Sequence, residues 1–175
     1  MWLLYEAYDQ VLFFMDRGGW VLQVLMLVIG VMWVFILERM LFFWRVSRAL
    51  ESNFQQQWQS RPERHSWLAH QVRNVLLADF KLSMNRYLPL IKVLVSLCPL
   101  LGLLGTVTGM IEVFDVMSLI GNSSPKAMAS GISKATIPTM AGMVGALTGI
   151  FAHVYLKKVM VQRCQHMEET LVFDH

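Results

Sequence analysis

Three apolar runs, each long enough to cross a lipid bilayer as a helix, constrain this chain more than any other feature. They occupy residues 20–37, 88–114 and 132–156. A bilayer core about 30 Å thick needs about 20 apolar residues in a helix. Because hydrocarbon offers no partner to free backbone groups, such segments must be helical, and an open sheet is excluded. We therefore predict an all-α integral membrane protein with three transmembrane helices.

The composition agrees with a membrane protein. Of the 175 residues, 55% are hydrophobic and 15% are charged, against about 25% charged in a typical soluble domain. The net charge of +3 is too small to indicate a nucleic-acid partner. Cys98 and Cys164 form no C-x-x-C pair, and we expect two free thiols without a catalytic role.

The distribution of Lys and Arg predicts the orientation of the spans. Only Arg17 precedes the first span and only Lys126 lies between the second and third, whereas the segment 39–86 and the tail are rich in Lys and Arg. Basic residues accumulate on the cytoplasmic side of a membrane. We expect the N-terminus outside, and the long middle segment and the C-terminus in the cytoplasm.

Residues 1–17 combine acids with bulky apolar side chains, which is typical of a short helix in the membrane interface. Gly18 and Gly19 then permit a bend. A break is expected at residues 61–63. An apolar stripe at near-helical spacing then predicts a cytoplasmic helical bundle, and it consists of Trp67, Val72, Val75, Leu76, Phe80 and Leu82. The predicted layout is an interfacial helix at 1–17, transmembrane helices at 18–38, 87–115 and 132–156, a cytoplasmic helical segment at 39–86, a short outer loop at 116–131 and a cytoplasmic tail at 157–175.

Small residues distinguish the second and third spans from the first, which carries bulky side chains all round. Small residues at helical spacing let membrane helices approach closely. We therefore expect spans two and three to form an inner layer, with span one outside. Pro99 and Pro138 are expected to bend or loosen their helices. The predicted packing glycines are Gly102, Gly105 and Gly109 in span two and Gly142, Gly145 and Gly149 in span three.

Two motifs carry a family resemblance. Residues 98–111 read C-P-L-L-G-L-L-G-T-V-T-G-M-I, and residues 131–143 read G-I-S-K-A-T-I-P-T-M-A-G-M. In this order, within three spans of this orientation, they resemble the signatures of the ExbB/TolQ/MotA family of proton-driven motor subunits. The short connection between spans two and three is similar to that of a short ExbB-type subunit. MotA-like proteins usually have four spans, which counts against a flagellar role.

The resemblance implies an assembly in the bacterial inner membrane, with a periplasmic N-terminus. Such subunits form a homo-oligomeric ring, commonly a pentamer, around the single spans of an ExbD-like partner. That partner supplies a membrane aspartate, and the protonmotive force passes to a TonB-like protein that opens outer-membrane transporters. A TolQ-like role in envelope maintenance and a passive membrane scaffold are the alternatives.

The family's inner threonines fall on Thr106 and Thr139, and with Thr136 they are expected to line the proton path. A hydroxyl can accept from a protonated acid and donate to an ionised one. The alternative for each threonine is a local bond to a carbonyl in the preceding turn. The chain has no carboxylate at mid-membrane, so the protonatable group is expected to come from the partner.

The chain departs from the family at two charges. Lys134 stands where relatives often carry an acid, and Glu112 stands where many lack one. Counted from the threonines, both lie at similar depth, at about 1.5 Å per residue. We predict a Glu112–Lys134 pair near the outer mouth, within or between subunits. Asp115 is a competing partner, and separate snorkelling to the interface is the alternative.

Enzyme chemistry is not expected, because no nucleophile–base pair, phosphate loop or metal cluster is recognisable. His65 and His70 are poorly spaced for a shared metal, and no cofactor is predicted. Lys92 is expected to snorkel at the inner end of span two. His153, near the inner end of span three, is expected to pack at the interface or to serve proton exit.

Overall fold

The computed structural model describes residues 2–45, 52–54, 56, 67–120 and 125–170. Within these ranges there is no strand, and three stretches are long and apolar enough to cross a membrane: Gly19–Arg45, His70–Leu119 and Gly131–Thr170. The prediction of an all-α membrane protein with three spanning helices is confirmed. The four long helices are α1 (Trp2–Arg45), α2 (Trp67–Asn85), α3 (Leu88–Ile120) and α4 (Pro125–Thr170).

The helices contribute to two compact units. The first unit comprises Met1–Trp33 and Val93–Ile150, and the second comprises Val34–Lys92 and Phe151–His175. The first unit therefore holds one part each of α1, α3 and α4. The second unit holds the remaining parts of those helices together with α2.

The backbone of α1 is interrupted at Gly19, where φ is 65° and ψ is −170°. This left-handed conformation favours glycine, since a Cβ would clash there. The bend predicted from the Gly18–Gly19 pair therefore lies at Gly19. Beyond it, α1 buries Val21, Leu22, Leu25, Met32 and Ile36, whereas Trp20, Leu27, Val34 and Leu37 are exposed. Span one thus packs one face inward despite its uniformly bulky sequence.

Residues 116–131, predicted as the loop between spans two and three, are largely helical in the described part of the chain. Helix α3 runs to Ile120 and α4 begins at Pro125, so both helices extend into that range. Residues 121–124 lie outside the described part of the chain, as do residues 46–51 and the break predicted at 61–63.

Helix α2 packs within the second unit through a face that differs in part from the predicted stripe. Leu76, Phe80 and Met84 are buried, at i, i+4 and i+8, whereas Val75 and Leu82 are exposed. The side chain of Arg73 donates a 2.9 Å hydrogen bond to the Glu168 carbonyl oxygen. The last carbonyls of a helix lack partners within it, so Arg73 joins α2 to the end of α4.

Arg39, one of the basic residues that follow span one, is the buried charged residue among the side chains that the structure describes. Its side chain is only 2% exposed. The guanidinium carbon lies 4.7 Å from the Phe42 ring centroid and 4.9 Å from that of Tyr87. Tyr87, in the turn between α2 and α3, has φ of 69°. Such a conformation is costly for a residue other than glycine.

The stacking leaves part of the guanidinium without hydrogen bonds. Glu38 Oε2 lies 3.5 Å from Arg39 Nε, within ion-pair range. Nevertheless, Nε and Nη1 are buried and have no hydrogen-bond partner among the described residues. Aromatic stacking contributes cation–π attraction, but unsatisfied buried donors cost free energy. The charge of Arg39 therefore adds little to stability.

Replacing Arg39 with methionine should leave stability unchanged or raised. Methionine keeps an unbranched chain between the two rings and removes the unsatisfied donors, a change that is often neutral or stabilising for buried charges. Arg39→Ala is the matched control, and its cavity should cost about 2–4 kcal/mol. Thermal unfolding of the purified protein in detergent measures both. Equal losses in the two variants would show that the fold needs the charge itself.

Candidate functional site

The backbones of α3 and α4 are in direct contact around two glycines of the first unit. A Cβ built on Gly142 would lie 2.6 Å from the Cys98 carbonyl oxygen and 3.3 Å from Gly102 Cα. A Cβ on Gly102 would lie 3.0 Å from Thr139 Cα. Contacts this short leave no room for a side chain at either position. The helices therefore approach here as closely as small residues permit.

The other predicted packing glycines lie in contacts between α3 and α4 or between α4 and α1. Gly105 faces Pro138, and Gly109 faces Ala135, so both serve the contact between α3 and α4. Gly145 faces Ile29 of α1, while Gly149 faces Met32 of α1 and Val95 of α3. The glycine face of α4 thus contacts α3 at Gly142, α1 at Gly145 and both helices at Gly149.

The two prolines lie within continuous helices. Pro99 is exposed, whereas Pro138 is buried in the contact with Gly105. Proline lacks an N–H, so the carbonyls of Val95 and Lys134, four residues earlier, lose their usual helical donor. Each helix nevertheless continues through its proline. The prolines therefore loosen the hydrogen-bond ladder without ending the helix.

Thr139 joins the two helices by a hydrogen bond. Its Oγ1 hydroxyl donates to the Gly102 carbonyl oxygen at 2.8 Å, across 37 residues of sequence. Gly102 therefore serves twice, since it lacks a Cβ where Thr139 approaches and supplies the acceptor. Thr139 therefore does not make the alternative hydrogen bond, to a carbonyl in the preceding turn of its own helix.

Thr106 and Thr136 do make local bonds. Thr106 Oγ1 donates to the Leu103 carbonyl at 2.7 Å, and Thr136 Oγ1 donates to the Ser133 carbonyl at 2.9 Å. Thr106 stands one helical turn beyond Gly102, the residue that binds Thr139. Thr106 and Thr139 are therefore about one helical turn apart along the helix pair, and Thr136 lies nearly one turn before Thr139 on α4.

The threonines lie at the edge of the helix pair, not at its centre. Thr106 and Thr139 are half-buried and Thr136 is exposed. Apolar neighbours on both helices, such as Leu103 at 57% and Met140 at 52%, are exposed in the single chain. The hydroxyls therefore border apolar surfaces that lipid or another protein must cover.

The stretches of the three spans around these hydroxyls carry no carboxylate. Asp and Glu are absent from residues 19–37, 88–111 and 125–167. Glu112 and Lys134 are both exposed, and within the described part of the single chain they form no salt bridge. The between-subunit form of the predicted pair remains a prediction.

The remaining candidate side chains do not assemble into a reactive centre. Cys98 and Cys164 are buried as free thiols. His153 is half-buried, and its Nδ1 has no hydrogen-bond partner among the described residues. Within the same residues, no three His, Cys, Asp or Glu side chains lie together as a metal site requires.

Fold and site together define a class: a helical membrane protein whose second and third spans meet backbone to backbone beside Thr106 and Thr139. Residues 45–169 match the model of the MotA/TolQ/ExbB proton channel family. This match covers well over half of the chain, and the chain belongs to that family. The resemblance of its two span motifs is confirmed, and the family is one of proton channels and transport proteins.

Individual relatives agree with this assignment. The chain is 25% identical over 168 residues to a biopolymer transport protein ExbB-like 1 of Helicobacter pylori strain J99, covering 86% of this chain and 89% of the relative. It is 42% identical over 88 residues to an ExbB-like 1 protein of Synechocystis, covering 49% of this chain and 34% of the relative. A biopolymer transport protein exbB1 of Vibrio cholerae is 30% identical over 105 residues, covering 59% of this chain and 46% of the relative. The matches therefore span only about a third to a half of the Synechocystis and Vibrio proteins.

Proposed function

We propose that this chain is an ExbB-type subunit of a proton-driven energy-coupling complex in the bacterial inner membrane. Several copies form a ring, a pentamer by family resemblance, around the single span of an ExbD-like partner. The partner's carboxyl group takes up and releases protons beside Thr106 and Thr139. The complex passes this energy to a TonB-like protein for transport across the outer membrane.

One observation carries the proposal. Thr106 and Thr139 place two hydroxyls beside the close contact of α3 and α4, in stretches of these helices, residues 88–111 and 125–167, that contain no carboxylate. An ionised group in hydrocarbon is costly, and intramembrane acids tend to face a bundle interior and pair with polar groups. A hydroxyl has lone pairs that suit a protonated acid and does not itself titrate near neutral pH. These features support a helix surface that contacts a carboxyl group supplied by another protein.

The test combines purification with a deletion. The tagged chain, isolated from bacterial membranes in mild detergent, should have a native mass of several copies plus a one-span protein with one acid in its span. Deleting the chain should abolish protonmotive-force-dependent uptake across the outer membrane. Loss of envelope integrity with intact uptake would favour the TolQ-like role. Recovery of the chain without any one-span partner would contradict the proposed channel and favour a passive scaffold.

A further inference from the structure

The threonines of the two inner helices have committed their hydroxyl protons to backbone carbonyls. A hydroxyl has one proton and two lone pairs. Once the proton is donated, the group offers only acceptors to anything outside the helix. Within residues 88–150 this is true of Thr106 to Leu103, Thr108 to Leu104 and Gly105, Thr136 to Ser133, Thr139 to Gly102 and Thr148 to Gly145.

A surface that offers only hydrogen-bond acceptors distinguishes between the protonated and the ionised form of a carboxyl group. A protonated carboxylic acid has an O–H to donate, whereas a carboxylate has only oxygens that must accept. Hydrogen bonds made to the neutral form of an acid favour that form. Rotating the Thr139 hydroxyl towards a carboxylate would break its 2.8 Å bond to Gly102. The threonines alone therefore suit the protonated acid.

Lys134 supplies what the threonines lack. Its ammonium carries a positive charge and three donors. It lies five residues from Thr139 along α4, a rise of about 7.5 Å. The contact of Ala135 with Gly109 holds this turn of α4 against α3, because a Cβ on Gly109 would lie 2.7 Å from the Ala135 Cβ.

Lys134 has no acidic partner among the side chains that the structure describes. It is exposed, and no carboxylate of the described residues lies within 4.0 Å of its ammonium. Glu112 and Asp115 are the ionisable side chains of α3 at this end of the helix pair, and residues 19–37 of α1 have none. Five residues also turn a helix by about 140°. Lys134 and Thr139 therefore flank the contact with α3 on opposite sides.

We infer that the helix surface of Thr106, Thr136, Thr139 and Lys134 binds a partner's carboxyl group in two states at two depths. The protonated acid contacts the lone pairs of the threonines, and the ionised carboxylate contacts Lys134 of the same or the adjacent copy. This inference rests on the proposed function, because the carboxyl group comes from the partner. Lys134 is then a positioning residue for the ionised state. Its charge stabilises that state and eases loss of the proton.

The inference is tested on the complex purified from membranes with its one-span partner. Dicyclohexylcarbodiimide reacts with protonated carboxyl groups, and peptide mass spectrometry measures labelling of the partner's membrane acid across a pH series. An opposite charge within about 4–6 Å lowers the pKa of an acid by about 1–3 units. Lys134→Gln should therefore raise the pH of half-maximal labelling by at least about one unit, roughly tenfold in the dissociation constant.

Two matched variants separate the outcomes. Lys134→Arg keeps the charge and should leave the labelling midpoint within a few tenths of a unit of the unaltered complex. Glu112→Gln removes an acid of similar depth and should not raise it. A labelled partner whose midpoint is the same with Lys134→Gln would overturn the inference alone, and would favour pairing of Lys134 with Glu112. If no partner acid is labelled in any complex, the proposed function fails, and the inference fails with it.

Discussion

Replacing Gly142 with alanine is expected to disrupt the contact between α3 and α4 and to lower stability by about 2–3 kcal/mol. Overpacking a well-packed site typically costs 1–3 kcal/mol. The upper end applies here because the new methyl group would meet the Cys98 carbonyl oxygen at 2.6 Å, and a backbone atom cannot move aside like a side chain. Thermal unfolding in detergent and the native mass of the assembly should both report the change.

Gly30 provides the control for this experiment. It lies in the middle of a transmembrane helix, as Gly142 does, but no heavy atom lies within 4 Å of a Cβ built on it. Alanine is the better helix former by up to about 1 kcal/mol. Gly30→Ala should therefore leave stability and assembly unchanged or slightly improved. If Gly142→Ala were equally harmless, the two helices would not meet in the assembled protein as they do in this structure.

Replacing Thr139 with valine is expected to abolish energy coupling while preserving most of the assembly. Valine has nearly the same shape as threonine, so packing against Gly102 is kept. The lost hydrogen bond should cost only about 1 kcal/mol, since the Gly102 carbonyl retains its place in the helical ladder. The hydroxyl of the proposed proton path is lost entirely, so uptake should fall at least roughly tenfold, the rate equivalent of about 1.4 kcal/mol.

Thr139→Ser completes this experiment, because serine keeps the hydroxyl and can bond Gly102 in the same way. It should restore most of the uptake that valine removes. The measurements are energised uptake in cells and native mass of the purified complex. Full coupling with Thr139→Val would remove this hydroxyl from the proton path. Loss of assembly in both variants would assign Thr139 a role in packing alone.

Features of the structure that depend on a single segment of the chain could be predicted from the sequence. The lengths of the apolar runs predicted the three spans, because the need to satisfy backbone groups in hydrocarbon depends on each segment alone. The bend at Gly19 could be predicted for a similar reason, since only glycine adopts its φ of 65° readily. The glycines of spans two and three indicate close packing between helices, although they do not identify which helix each glycine contacts.

Two features of the structure, the burial of Arg39 and the buried face of α2, are not indicated by any local pattern in the sequence. Arg39 looks like any basic residue that follows a membrane span, and its burial between Phe42 and Tyr87 depends on where the turn after α2 carries the tyrosine ring. The buried face of α2 likewise shifted away from Val75 and Leu82, because apolar side chains surround much of that helix and tertiary contacts select among them.

The amino-acid sequence by itself determined the helical class, the three spans, the family and the two threonines worth testing. Only the tertiary structure decided how those threonines use their protons, with Thr106 bonded within its own helix and Thr139 bonded to Gly102 on the other. The reason is physical: a hydroxyl can satisfy itself on any carbonyl in reach. Which carbonyl of a neighbouring helix comes within reach depends on how closely, and in what register, the two backbones pack.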